Sequence, residues 1–276
     1  MKTKTLLIAA AALAVGVISS QAQVYSQNVV GYVNQTVNAG NYFIIGSQLV
    51  GGSDANQTNG NINATLANGF VSQPLDPPST HSNSVVYIWT GSGYQNFYYF
   101  NQADATTWNG ASSPAGWYDE GGTLSTATLT SGQSAFIYNH SSSPMTITTV
   151  GNVKQGTNTS LINAGYNLIG IQEPVFTTNL FVSGYGLPLG LTSSPQDPPL
   201  QSRNDTIFVW KGSGYVSYYY FNEADATSWN GTASPAGFYD GGGSLMPSSD
   251  CPSVNQGFFL YHTGPAVVWT NSYSVQ

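Results

Sequence analysis

The sequence predicts an all-β protein: two tandem sandwich- or barrel-like modules related by internal duplication, following a signal peptide. Three observations lead there. Residues 98–119, YYFNQADATTWNGASSPAGWYD, match residues 219–240, YYFNEADATSWNGTASPAGFYD, at 17 of 22 positions. Apolar residues come in short runs separated by Gly, Asn, Ser and Pro clusters, the pattern of strands and turns. The composition, with 31 Gly, 18 Tyr and three Met, suits strands better than helices.

The elements follow in chain order. In residues 1–22, Lys2 and Lys4 precede an apolar stretch from Leu6 to Ile18, and Ser20 and Ala22 are the small residues that a signal peptidase reads. The apolar run is short for a membrane span, and no Cys follows the expected cut to carry a lipid. The chain from Gln23 is therefore expected to be secreted, extracellular or periplasmic, with no membrane span. Module 1 is assigned to residues 23–152 and module 2 to 153–276. NAGNYFIIG (38–46) matches NAGYNLIG (163–170), VVYIWTGSGY (85–94) matches TIFVWKGSGY (206–215), and GQSAFIYNH (132–140) matches NQGFFLYH (255–262). Three hairpins are expected in module 1. VVYIW turns through TGSG into YQNFYYF, SAFIYN through HSSSP into MTITTV, and NVVGYVNQTV pairs with NYFIIGSQLV. No stretch of helical length shows a 3.6-residue apolar period, so no helix is expected.

Three of these strings carry a resemblance. Ala164 to Gly170, Phe208 to Tyr215 and Asn255 to Tyr261, with their counterparts in module 1, are similar to a module recurring in secreted bacterial proteins. There the strings typically read GWNLIG, VYxWxG and PGEGFFV; this chain lacks the acidic residue of the last. The resemblance implies an extracellular β domain and no particular activity.

Charge excludes several function classes. Charged residues make up only 6% of the chain, so solubility falls to Asn, Gln, Ser, Thr and Gly. After signal removal Lys154, Arg203 and Lys211 face twelve acids, a formal charge of −9. Nucleic acid and anionic membranes need basic surface, so neither is an expected partner. Cys251 is the single cysteine, so no intrachain disulfide forms. His81, His140 and His262 are too few for a zinc site in each module and read as solvated or backbone-bonded turn histidines. No nucleophile elbow, zinc motif, phosphate loop or dinucleotide fingerprint occurs.

The repeated segment supplies the candidate site. Asp104, Trp108, Asn109, Tyr118 and Asp119 recur as Asp225, Trp229, Asn230, Tyr239 and Asp240. Aromatic faces stack on sugar rings, and Asp and Asn bond their hydroxyls. Two weak sites on one chain would gain from a polymeric ligand. The same residues have an architectural reading: Asn-Gly and Ser-Pro-Ala-Gly are turn chemistry, and the rings are core. Trp89 and Trp210 lie in apolar strands and read as core. A glycoside hydrolase would need a carboxylate pair, for which Asp104 with Asp119, and Asp225 with Asp240, are the only persisting pairings. Oxygen-rich loops also admit Ca²⁺, although no repeated calcium motif is visible. The expectation is a non-enzymatic structural or adhesive protein with no cofactor, a polysaccharide or other cell-surface component as its partner, and self-assembly through its Tyr-rich strands as a further option. Carbohydrate binding is the first alternative and a hydrolase the second.

Overall fold

The computed structural model describes residues 30–50, 60–66, 69–79, 82–110, 112–172 and 190–273. The signal peptide expected over residues 1–22 and His81 lie outside them. The first half contains β1 (Val30–Val37), β2 (Tyr42–Gly46), β3 (Leu49–Val50), α1 (Ile62–Thr65), β4 (Val85–Trp89), β5 (Tyr94–Phe100), α2 (Gln102–Asn109), β6 (Gly116–Tyr118), β7 (Ser134–Tyr138) and β8 (Met145–Val153). The second contains β9 (Gly156–Ile162), β10 (Gly165–Gly170), β11 (Thr206–Trp210), β12 (Tyr215–Phe221), α3 (Glu223–Asn230), β13 (Gly237–Tyr239), β14 (Gly257–His262) and β15 (Val267–Tyr273).

The strands form two pairs of antiparallel sheets, as the all-β expectation required. Five-stranded sheets of order β2-β7-β4-β5-β6 and β10-β14-β11-β12-β13 have the same topology. Their registers match: Trp89 lies opposite Tyr94, and Trp210 opposite Tyr215. Each is covered by a smaller sheet, β1-β8-β3 in the first half and β15-β9 in the second.

Of the three expected hairpins, only β4–β5 is one. β1 pairs with β8 and β2 with β7, so NVVGYVNQTV does not pair with NYFIIGSQLV, nor SAFIYN with MTITTV. Both connections are corners where the chain crosses from one sheet to the other. A single buried side chain pins them. Asn139 Nδ2 donates to Val37 O at 3.0 Å, Asn38 O at 3.2 Å and Ser143 O at 3.0 Å. These bonds satisfy three backbone carbonyls at the two corners.

The core of each half lies between its two sheets. In the first half Val37, Ile45, Val86, Phe97, Trp117, Ile137 and Ile147 meet there; in the second, Ile162, Ile169, Ile207, Val209, Phe258, Leu260 and Trp269. Each such side chain contributes about 1.5–3 kcal/mol on leaving water. Strand alternation sends the intervening residues outward, and several of these are buried too. On β7, Ala135 and Ile137 point into the sandwich, while Phe136 and Tyr138 join clusters on the opposite face. This is why the strands read as continuous apolar runs.

The expectation of no helix is corrected by α2 and α3, both inside the repeated segment. Neither has an apolar stripe: α2 buries Ala105 and α3 buries Ala226. Their signal is at the N-terminus. Asn101 Oδ1 accepts from Asp104 N at 2.9 Å, and Asn222 Oδ1 from Asp225 N at 2.9 Å. An N-cap side chain that satisfies the third helical N–H nucleates a short helix without periodicity. Among the described residues no helix is long and apolar enough to cross a membrane.

The two halves meet through a two-fold-like exchange of contacts. Gly46 N donates to Asn255 O at 2.9 Å, and its counterpart Gly170 N donates to Gly132 O at 2.9 Å. Bridges Ile45–Gln256 and Gln133–Ile169 swap in the same way. Trp89 Nε1 donates to Tyr166 O at 3.1 Å, while Trp210 Nε1 donates to Tyr42 O at 2.9 Å. Ile44, Phe136, Leu168 and Phe259 form the apolar centre of the junction. The backbones approach so closely that a Cβ on Gly170 would lie 3.0 Å from Gly46 Cα. Such reciprocity is the mark of a self-complementary interface, here closed within one chain.

Candidate functional site

The repeated segment is held by its own side chains in both halves. Asp104 Oδ2 accepts from Asn101 Nδ2 at 2.7 Å and from the Ser72 hydroxyl. Asp225 repeats this with Asn222 at 2.8 Å and with Ser193. Trp108 lies flat on Phe100, with centroids 4.3 Å apart and planes at 6°, and Trp229 lies on Phe221 at 4.5 Å and 6°. Tyr118 and Tyr239 stand edge-on to those indoles at 5.9 and 6.1 Å and are buried. Their hydroxyls donate to Pro114 O and Pro235 O, each at 2.5 Å. Burial raises both phenol pKa values above the ordinary value.

The remaining candidates hold turns. Asn109 Nδ2 donates to Gly122 O at 2.8 Å, and Asn230 Nδ2 to Gly243 O at 3.4 Å. Asp119 Oδ1 accepts from Gly121 N at 3.0 Å and Thr123 N at 2.8 Å; Asp240 Oδ1 accepts from Gly242 N and Ser244 N, both at 2.9 Å. Each half thus gathers its five residues around one helix and the strand that follows. Their polar atoms and ring faces engage the chain itself. Asp119 borders a depression of about 180 Å³.

An open aromatic surface lies elsewhere, at the junction of the halves. Trp89, Tyr94, Tyr166, Phe208, Tyr215 and Phe259 line a trough of about 380 Å³. Tyr94, Tyr166 and Tyr215 are 43%, 45% and 42% exposed, unusual values for rings packed this closely. Trp89 meets Tyr94 at 5.0 Å and 63°, and Trp210 meets Tyr215 at 5.0 Å and 64°. Tyr42, 39% exposed, repeats Tyr166 on the other side, packing on Tyr87 as Tyr166 packs on Phe208. Trp89 and Trp210, read as core from the sequence, are only half-buried, because their outward faces meet the partner half and solvent. Burial pushes the Tyr94 phenol up to about 12 and raises Tyr215 as well. For Tyr87 the Tyr42 hydroxyl adds to burial in the same direction.

The trough adjoins a polar cleft of about 430 Å³ with which it shares Trp89 and Tyr166. Thr130, Gln133, Thr159, Ser160 and Asn163 line the cleft, and among the described residues no charged side chain lines either cavity. Sequence reasoning missed this surface. Its one local signal was the repeated W-x-G-S-G-Y string, which puts Trp89 and Tyr94, and Trp210 and Tyr215, at facing ends of a hairpin.

Of the two readings given for the histidines, His262 bears out the backbone-bonded one and not the solvated one. His262 is buried at the end of β14, with Nδ1 2.7 Å from Asp205 Oδ2 and Nε2 2.7 Å from Pro265 O. Asp205, also buried, was not singled out in the sequence. Ser84 and Asn139 occupy the matching positions of the first half. His140 is half-buried, its ring tilted against Tyr138 at 6.3 Å. Among the described residues no group of three or more His, Cys, Asp or Glu side chains gathers to hold a metal ion. Cys251 is buried, and burial pushes its thiol up to about 11, away from the reactive thiolate. Compared with protein-family models, with curated proteins and with solved structures, the chain finds no match.

Proposed function

We propose that this chain is a secreted, non-enzymatic protein, structural or adhesive, that works by binding carbohydrate at or beyond the cell surface. The observation that carries the reading is the exposed trough formed by Trp89, Tyr94, Tyr166, Phe208, Tyr215 and Phe259. A rigid aromatic surface beside hydroxyl and amide side chains suits a ligand with one apolar face and a polar rim, which is the character of a sugar ring. The carboxylates that a hydrolase would use are engaged elsewhere: Asp104 and Asp225 in helix caps, Asp119 and Asp240 in turns. The weight of the reading therefore moves from the repeated helix-and-turn segment to the junction.

Affinity electrophoresis tests this. Residues 23–276 are run through gels holding different polysaccharides, with and without Ca²⁺, beside Tyr94→Ala/Tyr215→Ala and Trp108→Ala variants. Retardation by a polysaccharide is expected, lost in the tyrosine pair and kept in Trp108→Ala. The last variant should instead melt earlier, because removing a packed indole costs about 3 kcal/mol. Uniform migration through the whole panel would sink the reading. Retardation lost only in Trp108→Ala, with the fold intact, would return the site to the repeated segment.

A further inference from the structure

The trough and the cleft differ in chemistry yet share a wall. Trp89 and Tyr166 border both, and the Trp89 Nε1–H bond to Tyr166 O at 3.1 Å fixes one against the other. On one side of that wall stand aromatic faces. On the other stand Thr130, Gln133, Thr159, Ser160 and Asn163, whose side chains donate and accept hydrogen bonds without carrying charge. The trough tyrosines stay neutral as well, since burial holds Tyr94 and Tyr215 above the ordinary phenol range. Both volumes fall in the range of ligand sites rather than of packing gaps.

A ligand that fills both must present an apolar face to rings and then, further along the same molecule, hydroxyls to amides and alcohols. It must also be uncharged. Among the described residues no cation lines either cavity to hold a uronate or sulfate, and the chain is acidic overall, with twelve Asp and Glu against five Lys and Arg. We infer that the trough and the cleft are consecutive subsites for an unbranched neutral oligosaccharide, with Trp89 and Tyr166 marking the step between them. This rests on the carbohydrate-binding reading above and adds to it the charge of the ligand, its minimum length and the residues that sense that length.

Calorimetric titration of residues 23–276 with cello-, manno-, xylo- and malto-oligosaccharides of increasing length reads the inference directly, with oligogalacturonate as the charged control. At least one neutral series is expected to bind, its affinity rising with length until both subsites are filled and then levelling, while oligogalacturonate does not bind. Asn163→Ala with Thr159→Ala should weaken the longer oligomers about tenfold and leave the shortest unchanged; Tyr215→Ala should weaken every length by a similar factor, about the worth of one ring contact. Near-ultraviolet circular dichroism checks that each variant is folded. If neutral oligomers bind with no length dependence, or the cleft pair weakens all lengths equally, the two-subsite inference falls and the carbohydrate reading stands. If only the charged oligomer binds, the assignment of a neutral ligand is overturned. If no oligosaccharide binds, both fall together.

Discussion

Asp205 has no exposed surface and accepts four hydrogen bonds: from Thr192 N at 3.0 Å, Thr263 N at 2.7 Å, Thr263 Oγ1 at 3.0 Å and His262 Nδ1 at 2.7 Å. It joins the strand β11 to the corner after β14, so one side chain closes the second sandwich. Asn in its place keeps the shape but turns an NH₂ group toward donors. Asp205→Asn is expected to cost about 1–3 kcal/mol, the usual consequence of leaving buried donors without their acceptor. Asp205→Ser with His262→Asn copies the first half, where Ser84 accepts from Val71 N at 3.1 Å, and should recover part of that loss. Urea unfolding of the two variants decides it. Equal stability of Asp205→Asn and the unmodified chain would remove the account.

At the scale of elements, α2 and α3 show how a short helix arises from its ends. Eight residues are too few for a helix to persist unaided in water. The caps at Asn101 and Asn222 and the stacks of Trp108 on Phe100 and Trp229 on Phe221 supply the difference. Asn101→Ala with Asn222→Ala should therefore lower stability by about 1 kcal/mol per site, read as a shift of the denaturation midpoint. A midpoint unmoved by the pair would mean that the stacks alone hold the helices. The sequence made the strands legible because alternation and Gly-rich turns are local marks, and the four-residue TGSG loop made the β4–β5 hairpin legible for the same reason. The corner at 38–41 was not, because the bond that pins it comes from Asn139, about a hundred residues from Val37, and the corner at 139–144 was not, because its own Asn139–Ser143 bond is turn chemistry that a hairpin shares. The helices were missed because they bury a single alanine each. In the repeated segment the choice between binding loop and scaffold turned on where the Trp108 and Trp229 faces point, which is decided only when the segment folds back so that each indole meets Phe100 and Tyr118, or Phe221 and Tyr239.

The whole molecule is two sandwiches closed against each other, and its open aromatic surface exists only at that closure. Tyr94 and Tyr166 are far apart in the chain, so no local window of sequence shows them together. The same closure sets an alkaline limit. Tyrosines of the junction keep their protons above the ordinary value, Tyr94 up to about 12, because the fold shields the charged form. Their contribution is complete below pH about 10, where folded and unfolded chains alike hold the proton, and is lost as pH rises toward about 12. Tyrosinate absorbance should rise first from exposed rings and then, together with loss of near-ultraviolet dichroism, from the junction. A single reversible step near pH 10 with the fold intact would contradict this. The two-fold exchange has one more consequence. Rotating the molecule about its internal axis swaps Tyr94 with Tyr215, but the trough holds Trp89, Tyr166, Phe208 and Phe259 without their counterparts Trp210, Tyr42, Tyr87 and Phe136, so the polysaccharide of the proposed reading would meet unlike surroundings in its two directions. The flanks differ as well: the polar cleft beside Trp89 lies on one side, and on the other a smaller hollow of about 200 Å³ bordered by Trp210 and Lys211. On the proposed carbohydrate-binding reading, one heading along the polymer is therefore favoured over the other.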